Sequence, residues 1–535
     1  MPFRAVGTAF SLEWVPVPLP FGLPTPPANH PQLPAGLSLC MIVRDEERFL
    51  ADALASVSGA VDEMIVVDTG SSDATIVIAE RAGARVERIA WRDNFSHARN
   101  AALALARFRW IFVLDADERL APGSREALRL LRETPAAQTG CWIACRNLTD
   151  EVRGSGVMTN ALIRIFPNDP RIRYRNAVHE FPALDGSAEG LTAVRTPIEI
   201  THHGYLSDVM MERAKAERNL RLAKAEAARD PDDPFHSYNL GMAALLAGER
   251  VAALRALEAM VAQTQAQPRG FRPHGMIVLA DAYIEDGQLG RARTLVDTCL
   301  AAVPTFANAH FSSGKIFAAQ ARYFDARAAF ADAIAAGEHN AEHFVVDDEV
   351  STWKAHSEIG ATLLREARYA DALAWFDLGL ENRAAAEPLL TNRAKALEGL
   401  GRDSEADEAY RAAFAAAKSE RTAIEYVNVL LRRGNDPAAL AAIRDTLPVL
   451  SPGYQVVFLA TAGAIVARLE DAAGAARFIA AALDVLPERA EAVATIAALA
   501  RQFDDPPFSA LVDAALADEP SVIPVNGVFP SDGLH

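Results

Sequence analysis

An apolar run, Trp110-Ile111-Phe112-Val113-Leu114, ends in Asp115, Ala116, Asp117 and Glu118. Carboxylates one residue apart at the end of a hydrophobic strand offer hard oxygen ligands at the rim of a sheet, where a divalent cation and a diphosphate can meet. Asp-x-Asp alone is a weak signal, because acidic triplets also occur as solvated turns and helix N-caps. Its context strengthens it. Strand-to-helix units precede it, and each carries polar residues at the carboxyl end of a strand, where open α/β sheets bind ligands. The first strand leads into Arg44, Asp45, Glu46 and Glu47, the second into Asp68-Thr69-Gly70-Ser71-Ser72-Asp73. Asp68 at such a rim can accept hydrogen bonds from a nucleotide's base or ribose. Gly70 is expected to serve backbone geometry, and Ser72 and Asp73 to cap the following helix. Before the Asp-x-Asp strand, residues 91–100 (WRDNFSHARN) open another helix. Ser96 is its expected N-cap, and Arg99 and Asn100 fall on its first turns. The planar fork of Arg99 suits a diphosphate or a carboxylate; the alternative is a surface salt bridge.

These residues need a sheet to hold them. From Leu37 to about Tyr205, short β-rich runs alternate with helical ones, which predicts βαβ units and a mostly parallel sheet. The expected strands are Leu39–Val43, Met64–Val67, Arg85–Ile89 and Ile111–Leu114, with helices near 46–58, 72–82 and 96–107. Residues 141–146 and 162–166 read as later strands. Residues 1–36 are too rich in proline for a helix or central strand and read as an extended arm, packed through Phe10, Trp14 and Phe21. After a connecting helix over 208–229, residues 230–500 are Ala-rich and carry an all-α repeat, with 501–535 a tail. Ala280 and Gly314, and Gly360 and Ala394, are 34 residues apart. Sixteen residues after each stands a bulky residue, Val296, Phe330, Phe376 or Tyr410. Gly241 and Gly463 occupy equivalent small positions. This is the tetratricopeptide signature, in which small residues let paired helices approach closely. An acidic insertion over 338–349 interrupts it.

A formal charge of −17 and no dominant basic patch argue against a nucleic-acid partner. Cys40, Cys141, Cys145 and Cys299 show no zinc-type spacing. Cys141 and Cys145, roughly 13 Å apart along a strand, read as core thiols in a reducing compartment. No apolar stretch is long enough for a membrane span, and no signal peptide is evident, so the expected location is cytoplasmic.

As a set, Ser38–Val43, Asp45-Glu46-Glu47, Val61–Asp73, Asn94-Phe95 with Ala98-Arg99-Asn100, and Leu114–Glu118 resemble family 2 glycosyltransferases. The similarity is to a bacterial branch in which a tetratricopeptide solenoid follows an α/β, nucleotide-sugar-binding GT-A domain. It covers about 37–205 for catalysis and most of 230–490 for the repeats. The resemblance implies an inverting transfer of a sugar from a nucleoside diphosphate, with Asp-x-Asp on the metal of the donor diphosphate. Asp115 would contact the donor's ribose or sugar and the metal, and Asp117 would be the more direct metal ligand. Asp68 and Glu46 would face the nucleoside. Asp45 stands where the family more often has Asn. Oxygen ligands and a diphosphate favour Mn²⁺ or Mg²⁺. Inversion also needs a base, and Glu180 of Val178-His179-Glu180 resembles part of the branch's site, with Asp185 the alternative. His202, in Thr201-His202-His203-Gly204-Tyr205, resembles a further marker and is a candidate metal ligand or diphosphate contact.

The expected protein is thus a metal-dependent glycosyltransferase using a nucleoside-diphosphate sugar, UDP most simply. Its acceptor is a saccharide or a protein or peptide held in the repeat groove. The rival expectation is a catalytically inactive, transferase-like scaffold that binds partners through its repeats.

Overall fold

The computed structural model describes residues 33–134, 139–150, 155–185, 191–203, 209–265, 269–342, 345–382, 386–469, 471–486, 489–503 and 505–517, together with a two-residue strand pair, Phe3–Arg4 with Glu13–Trp14. The expected packing of the N-terminal arm and most of the C-terminal tail lie outside the described residues.

The first strand, β1 (Leu37–Val43), is apolar on both faces because both are covered. Leu37, Leu39, Met41 and Val43 enter one core, which includes Leu50, Leu54 and Val57 of α1 (Leu50–Val57). Cys40 enters the opposite core with Ala102 and Leu103 of α3 (Phe95–Leu103). The remaining elements of this half of the sheet are β2 (Glu63–Asp68), α2 (Thr75–Arg81), β3 (Arg85–Arg88) and β4 (Trp110–Val113). They run parallel in the order β3-β2-β1-β4. Strand order reverses at β1, so the loops after β1 and β4 diverge and leave a crevice at their carboxyl ends.

Beyond β4 the sheet departs from the mostly parallel expectation. β5 (Glu118–Leu120), α4 (Arg125–Glu133), β6 (Gly140–Asp150), β7 (Ser155–Pro167) and β10 (Ala193–His202) complete it, while β8 (Ile172–Arg175) and β9 (Phe181–Leu184) form a separate hairpin. The order continues β4-β7-β6-β10-β5, with β7 antiparallel to both neighbours. The cause is local: β6 and β7 are joined by a short connection and pair as a hairpin, which forces antiparallel register. A ninth strand, β11 (Val345–Asp347), comes from the acidic insertion and pairs antiparallel with β7 at Met158–Asn160. Thr159 Oγ1 adds a 2.6 Å hydrogen bond to Asp348.

The connecting helix is α5 (Val209–Arg229). Helix hairpins follow: α6 (Pro234–Leu246) with α7 (Arg250–Gln263), α8 (Arg272–Glu285) with α9 (Leu289–Ala302), and α10 (Ala307–Ala319) with α11 (Tyr323–Ala336). After α12 (Trp353–Arg365) and α13 (Tyr369–Asn382), helices continue to Ala517. Two compact units divide at Glu358 and Ile359. Phe306, Val296 and Tyr283 anchor repeat core in the first unit, and Phe458, Phe478 and Phe508 in the second.

The 34-residue reading is met in the packing. A Cβ added to Gly241 would lie 2.6 Å from Leu257, one on Gly314 would lie 2.5 Å from Phe330, and one on Gly360 would collide with Phe376. In each hairpin the small residue of the first helix therefore seats the bulky residue sixteen positions on. Gly314→Val should destabilise the chain by about 1–3 kcal/mol through overpacking, read as a lowered midpoint in urea. Gly290→Ala, in α9 with open space around its Cβ, should be neutral or stabilising by up to about 1 kcal/mol. Equal tolerance at both positions would contradict the close helix approach.

Candidate active site

The crevice residues sit on loops held in unusual conformations. Asp45, Asp93, Asn176 and His179 all have positive φ, between 52° and 73°. Non-glycine residues seldom adopt this region without a surrounding structure that enforces it. Here the enforcement is side chain to backbone. Asp45 accepts from Ser72 N at 2.7 Å, Ser71 Oγ accepts from Asp45 N at 2.9 Å, and Thr75 Oγ1 accepts from Glu46 N at 2.7 Å. The loops after β1 and β2 are thereby laced together. Asp45 works through a side-chain oxygen acceptor and its left-handed backbone, both of which Asn also offers.

Asp68, 2% exposed, accepts from Gly70 N at 3.0 Å and Ser71 N at 3.2 Å. Its carboxylate shapes the 69–71 loop. Gly70 has φ 117°, as its turn requires. Two capping expectations shift. Asp73 accepts from Thr75 N at 2.9 Å, one residue ahead of the N-cap position, which Ala74 fills without a side-chain cap, and Ser72 is drawn off by Asp45. Helix α3 is capped by Asn94, whose Oδ1 accepts from His97 N at 2.9 Å, while Ser96 Oγ donates to Asn176 O at 2.5 Å. Asn100 does not face the crevice; it exchanges hydrogen bonds of 3.0 and 2.8 Å with the Tyr174 backbone. Together with Phe95 N donating to Ala177 O, these bonds tie α3 to the 176–180 segment.

That tie brings Arg99 and Glu180 together. Arg99 is 5% exposed, so the surface salt bridge does not describe it. Its Nε donates to Glu180 Oε1 at 3.1 Å and its Nη2 to Asp115 Oδ1 at 2.6 Å. Arg164 Nη2 reaches Asp115 Oδ2 at 2.9 Å and Glu118 Oε1 at 2.7 Å. Glu118 closes the ring by accepting from Asp115 N at 2.8 Å. Burial works against ionisation of Asp115, but the guanidiniums of Arg164 and Arg99 overcome it and hold its carboxyl well below the usual range. Glu118 is displaced the other way: burial, with Asp115 beside it, raises its pKa despite Arg164. Asp185, exposed after β9, takes no part in this network.

The sequence reading missed Arg164. Its signal was a lone charge inside the apolar strand 162–166. Its position comes from a slip in β-register: Ile163 pairs with Trp142 and Ile165 with Cys141, so Arg164 is the extra residue. Such a bulge re-aims a side chain.

Asp117 faces another partner. Strand β10 ends between β5 and β6, setting His202 opposite Glu118 on one side and Asn147 on the other. His202 Nε2 lies 3.0 Å from Asp117 Oδ2, and Nδ1 lies 2.9 Å from Asn147 Oδ1. Burial lowers the pKa of His202, but Asp117 outweighs it and the net direction is up. Of the three expected metal ligands, Asp117 and His202 are the two whose donor atoms meet; both oxygens of Asp115 are engaged by arginine. A separation of 3.0 Å is close to the spacing of about 3 Å between adjacent ligands in an octahedral shell of radius about 2.1 Å. When Nδ1–H donates to Asn147 Oδ1 and the ring is neutral, Nε2 presents a lone pair beside the Asp117 carboxylate, a pairing that a cation can bridge. The donor set fits a divalent ion. All four cysteines are buried and unpaired, as expected of core thiols.

Residues 38–181 match Glycosyl transferase family 2. This segment is a family 2 glycosyltransferase domain. The match takes in Asp68, Arg99, Asp115, Asp117, Arg164 and Glu180 and stops before His202. Among curated relatives, a TPR repeat-containing protein of Synechococcus elongatus is 39% identical over 44% of this chain and 58% of its own length. The SPbeta prophage-derived glycosyltransferase SunS of Bacillus subtilis is 23% identical over 38% of this chain and 47% of its own. The chain thus spans about half the length of the relatives it matches. A tetratricopeptide repeat protein from Parabacteroides merdae aligns over 49% of this chain and 97% of that chain, at 14% identity and a TM-score of 0.33. No described helix is long and apolar enough to cross a membrane.

Arg164→Met should cost about 3–5 kcal/mol of stability, because it leaves the buried carboxyl of Glu118 without its cation beside the half-buried Asp115. Adding Glu118→Gln should recover part of that loss. A double-mutant cycle by denaturant unfolding checks this, and strict additivity would contradict the network.

Proposed function

We propose that this chain is a metal-dependent inverting glycosyltransferase that moves a sugar from a nucleoside diphosphate, UDP most simply, to a protein, peptide or saccharide acceptor. Residues 37–207 would be the catalytic domain, 208–229 its connecting helix and 230–500 the repeats that hold the acceptor, flanked by the 1–36 arm and the 501–535 tail. The observation that carries this reading is Arg99, which within a family 2 domain joins the first aspartate of Asp-x-Asp to Glu180 through one guanidinium.

In this reading Asp117 and His202 hold Mn²⁺ or Mg²⁺, with Asn147 fixing the imidazole. The bound ion supplies Lewis-acid neutralisation of charge on the departing diphosphate. Asp115, kept ionised by two arginines, faces the donor's ribose or sugar, and would join the metal shell only by exchanging a guanidinium. Asp68 and Glu46 border the nucleoside, Asp68 by shaping the 69–71 loop. Arg99 Nη1 and Arg164 Nε are buried without a hydrogen-bond partner among the described residues, which leaves donors for the donor sugar or a bound water. Glu180 takes the acceptor's proton as the acceptor atom attacks the anomeric carbon opposite the diphosphate. The bond from that carbon to the diphosphate oxygen breaks, and configuration inverts. Arg99 keeps Glu180 in place through Oε1, and Oε2 takes no hydrogen bond among the described residues. The unpaired thiols agree with a reducing, cytoplasmic setting.

Calorimetric titration with UDP should show Mn²⁺-dependent binding that Asp117→Ala abolishes. Full metal-dependent binding in the variant would remove Asp117 from the metal site. Glu180→Gln should leave UDP binding unchanged and lower transfer by about 10²–10⁴-fold; weakened UDP binding with an unchanged transfer rate would move the base elsewhere.

A further inference from the structure

Where α5 meets the first repeat helix, a buried histidine points at carboxylates with nothing between them. His236, on the first turn of α6, is 5% exposed. Its Nδ1 lies 3.2 Å from Asp230 O. A carbonyl oxygen only accepts, so this nitrogen carries a proton, and when the ring is neutral the lone pair of Nε2 points inward. Nε2 is buried without a hydrogen bond among the described residues. The carboxylates around it are Glu226 Oε2 at 3.4 Å and Asp233 Oδ2 at 4.0 Å. Asp230, Asp233 and His236 each offer a ligand atom, all within 4.8 Å of one another.

We infer that Asp230, Asp233 and His236 form a divalent-cation site separate from the Asp117 and His202 pair. Two ligands on a tetrahedral ion at about 2.1 Å lie about 3.4 Å apart, and His236 Nε2 and Asp233 Oδ2, at 4.0 Å, stand a small side-chain movement from that spacing. A ligating imidazole ordinarily donates its other N–H to a carbonyl or carboxylate, as His236 does to Asp230 O. One imidazole with two carboxylates selects zinc or another first-row ion over magnesium. Asp233 is already supported for that role: its Oδ1 caps α6 by accepting from Phe235 N at 2.9 Å. Asp230 is exposed, so the site opens to solvent on that side.

Such an ion would pin the C-terminal end of α5 to the first turn of α6. Between its ligands lies Phe235, whose ring meets Phe181 edge-on at 5.6 Å. Phe181 directly follows Glu180, so the ion would brace the segment that carries the proposed base.

The test is a Zn²⁺ titration of chelator-treated full-length protein in an Asp117→Ala/His202→Ala background, which removes the donor-site ligands. One saturable equivalent is expected, together with a raised melting temperature. Adding His236→Gln should abolish both. Adding Asp230→Asn, at an exposed position that folding does not depend on, should weaken binding by at least about tenfold, and Asp233→Asn keeps the helix cap while removing a carboxylate. If His236→Gln fails to fold, the two asparagine variants give the reading alone. No saturable binding, or binding indifferent to these substitutions, would overturn the proposal and leave His236 as the charged partner of Glu226.

Discussion

The site depends on one interaction, the guanidinium of Arg99 shared between Asp115 and Glu180. A buried arginine is costly unless its donors are met, and a buried carboxylate is costly unless a cation meets it. Each therefore enforces the position of the other. Three elements distant in sequence, α3, the end of β4 and the 176–180 segment, are fixed together by these two contacts. Arg164 repeats the device from β7, so that Asp115 is held on both oxygens while Glu118 is locked beneath it. What remains on the open side is Asp117 with His202, a nitrogen and an oxygen at ligand spacing.

The scaffold explains why these groups converge. Parallel strands β3-β2-β1-β4 deliver their loops to one edge of the sheet, and the reversal at β1 opens the crevice there. The antiparallel half delivers the rest. The bulge at Arg164 turns that side chain toward Asp115, and β10 carries His202 back beside Glu118. The repeats are more than an appendage. In the first compact unit, β11 of the insertion extends the transferase sheet along β7, and Phe235 of α6 packs on Phe181. Both contacts fall on segments that also carry site residues, Arg164 and Glu180. These contacts couple the first repeats physically to the segments that carry the site.

The sequence was most legible where periodicity is strict. The first four strands lie within a residue or two of their expected positions; three of them are largely buried and read as short apolar runs, while the exposed Arg85–Arg88 was placed by the alternation of strand and helix. The small-to-bulky spacing of sixteen residues was equally plain, since Gly314 and Phe330 can pack only that way round. The antiparallel turn of the sheet was not legible, because it depends on a hairpin pairing that no local pattern declares. Arg164 was missed for a related reason: alternation predicts which face a strand residue takes, and a bulge breaks alternation. Ser96 and Ser72 looked like helix caps and were claimed instead by partners distant in sequence, Asn176 and Asp45. Asp115 looked like a metal ligand, and two arginines that local sequence could not bring near it now occupy its oxygens. His236, by contrast, offered no pattern at all, since its interest lies in burial and in a nitrogen without a hydrogen bond among the described residues.

The most direct test of the central claim is anomalous scattering from crystals grown with Mn²⁺ and UDP. The account predicts a manganese peak bonded to Asp117 and His202, beside the diphosphate, with Arg99 still bridging Asp115 and Glu180. A manganese bound elsewhere on the diphosphate, or an Arg99 that releases Glu180 when the nucleotide binds, would contradict it.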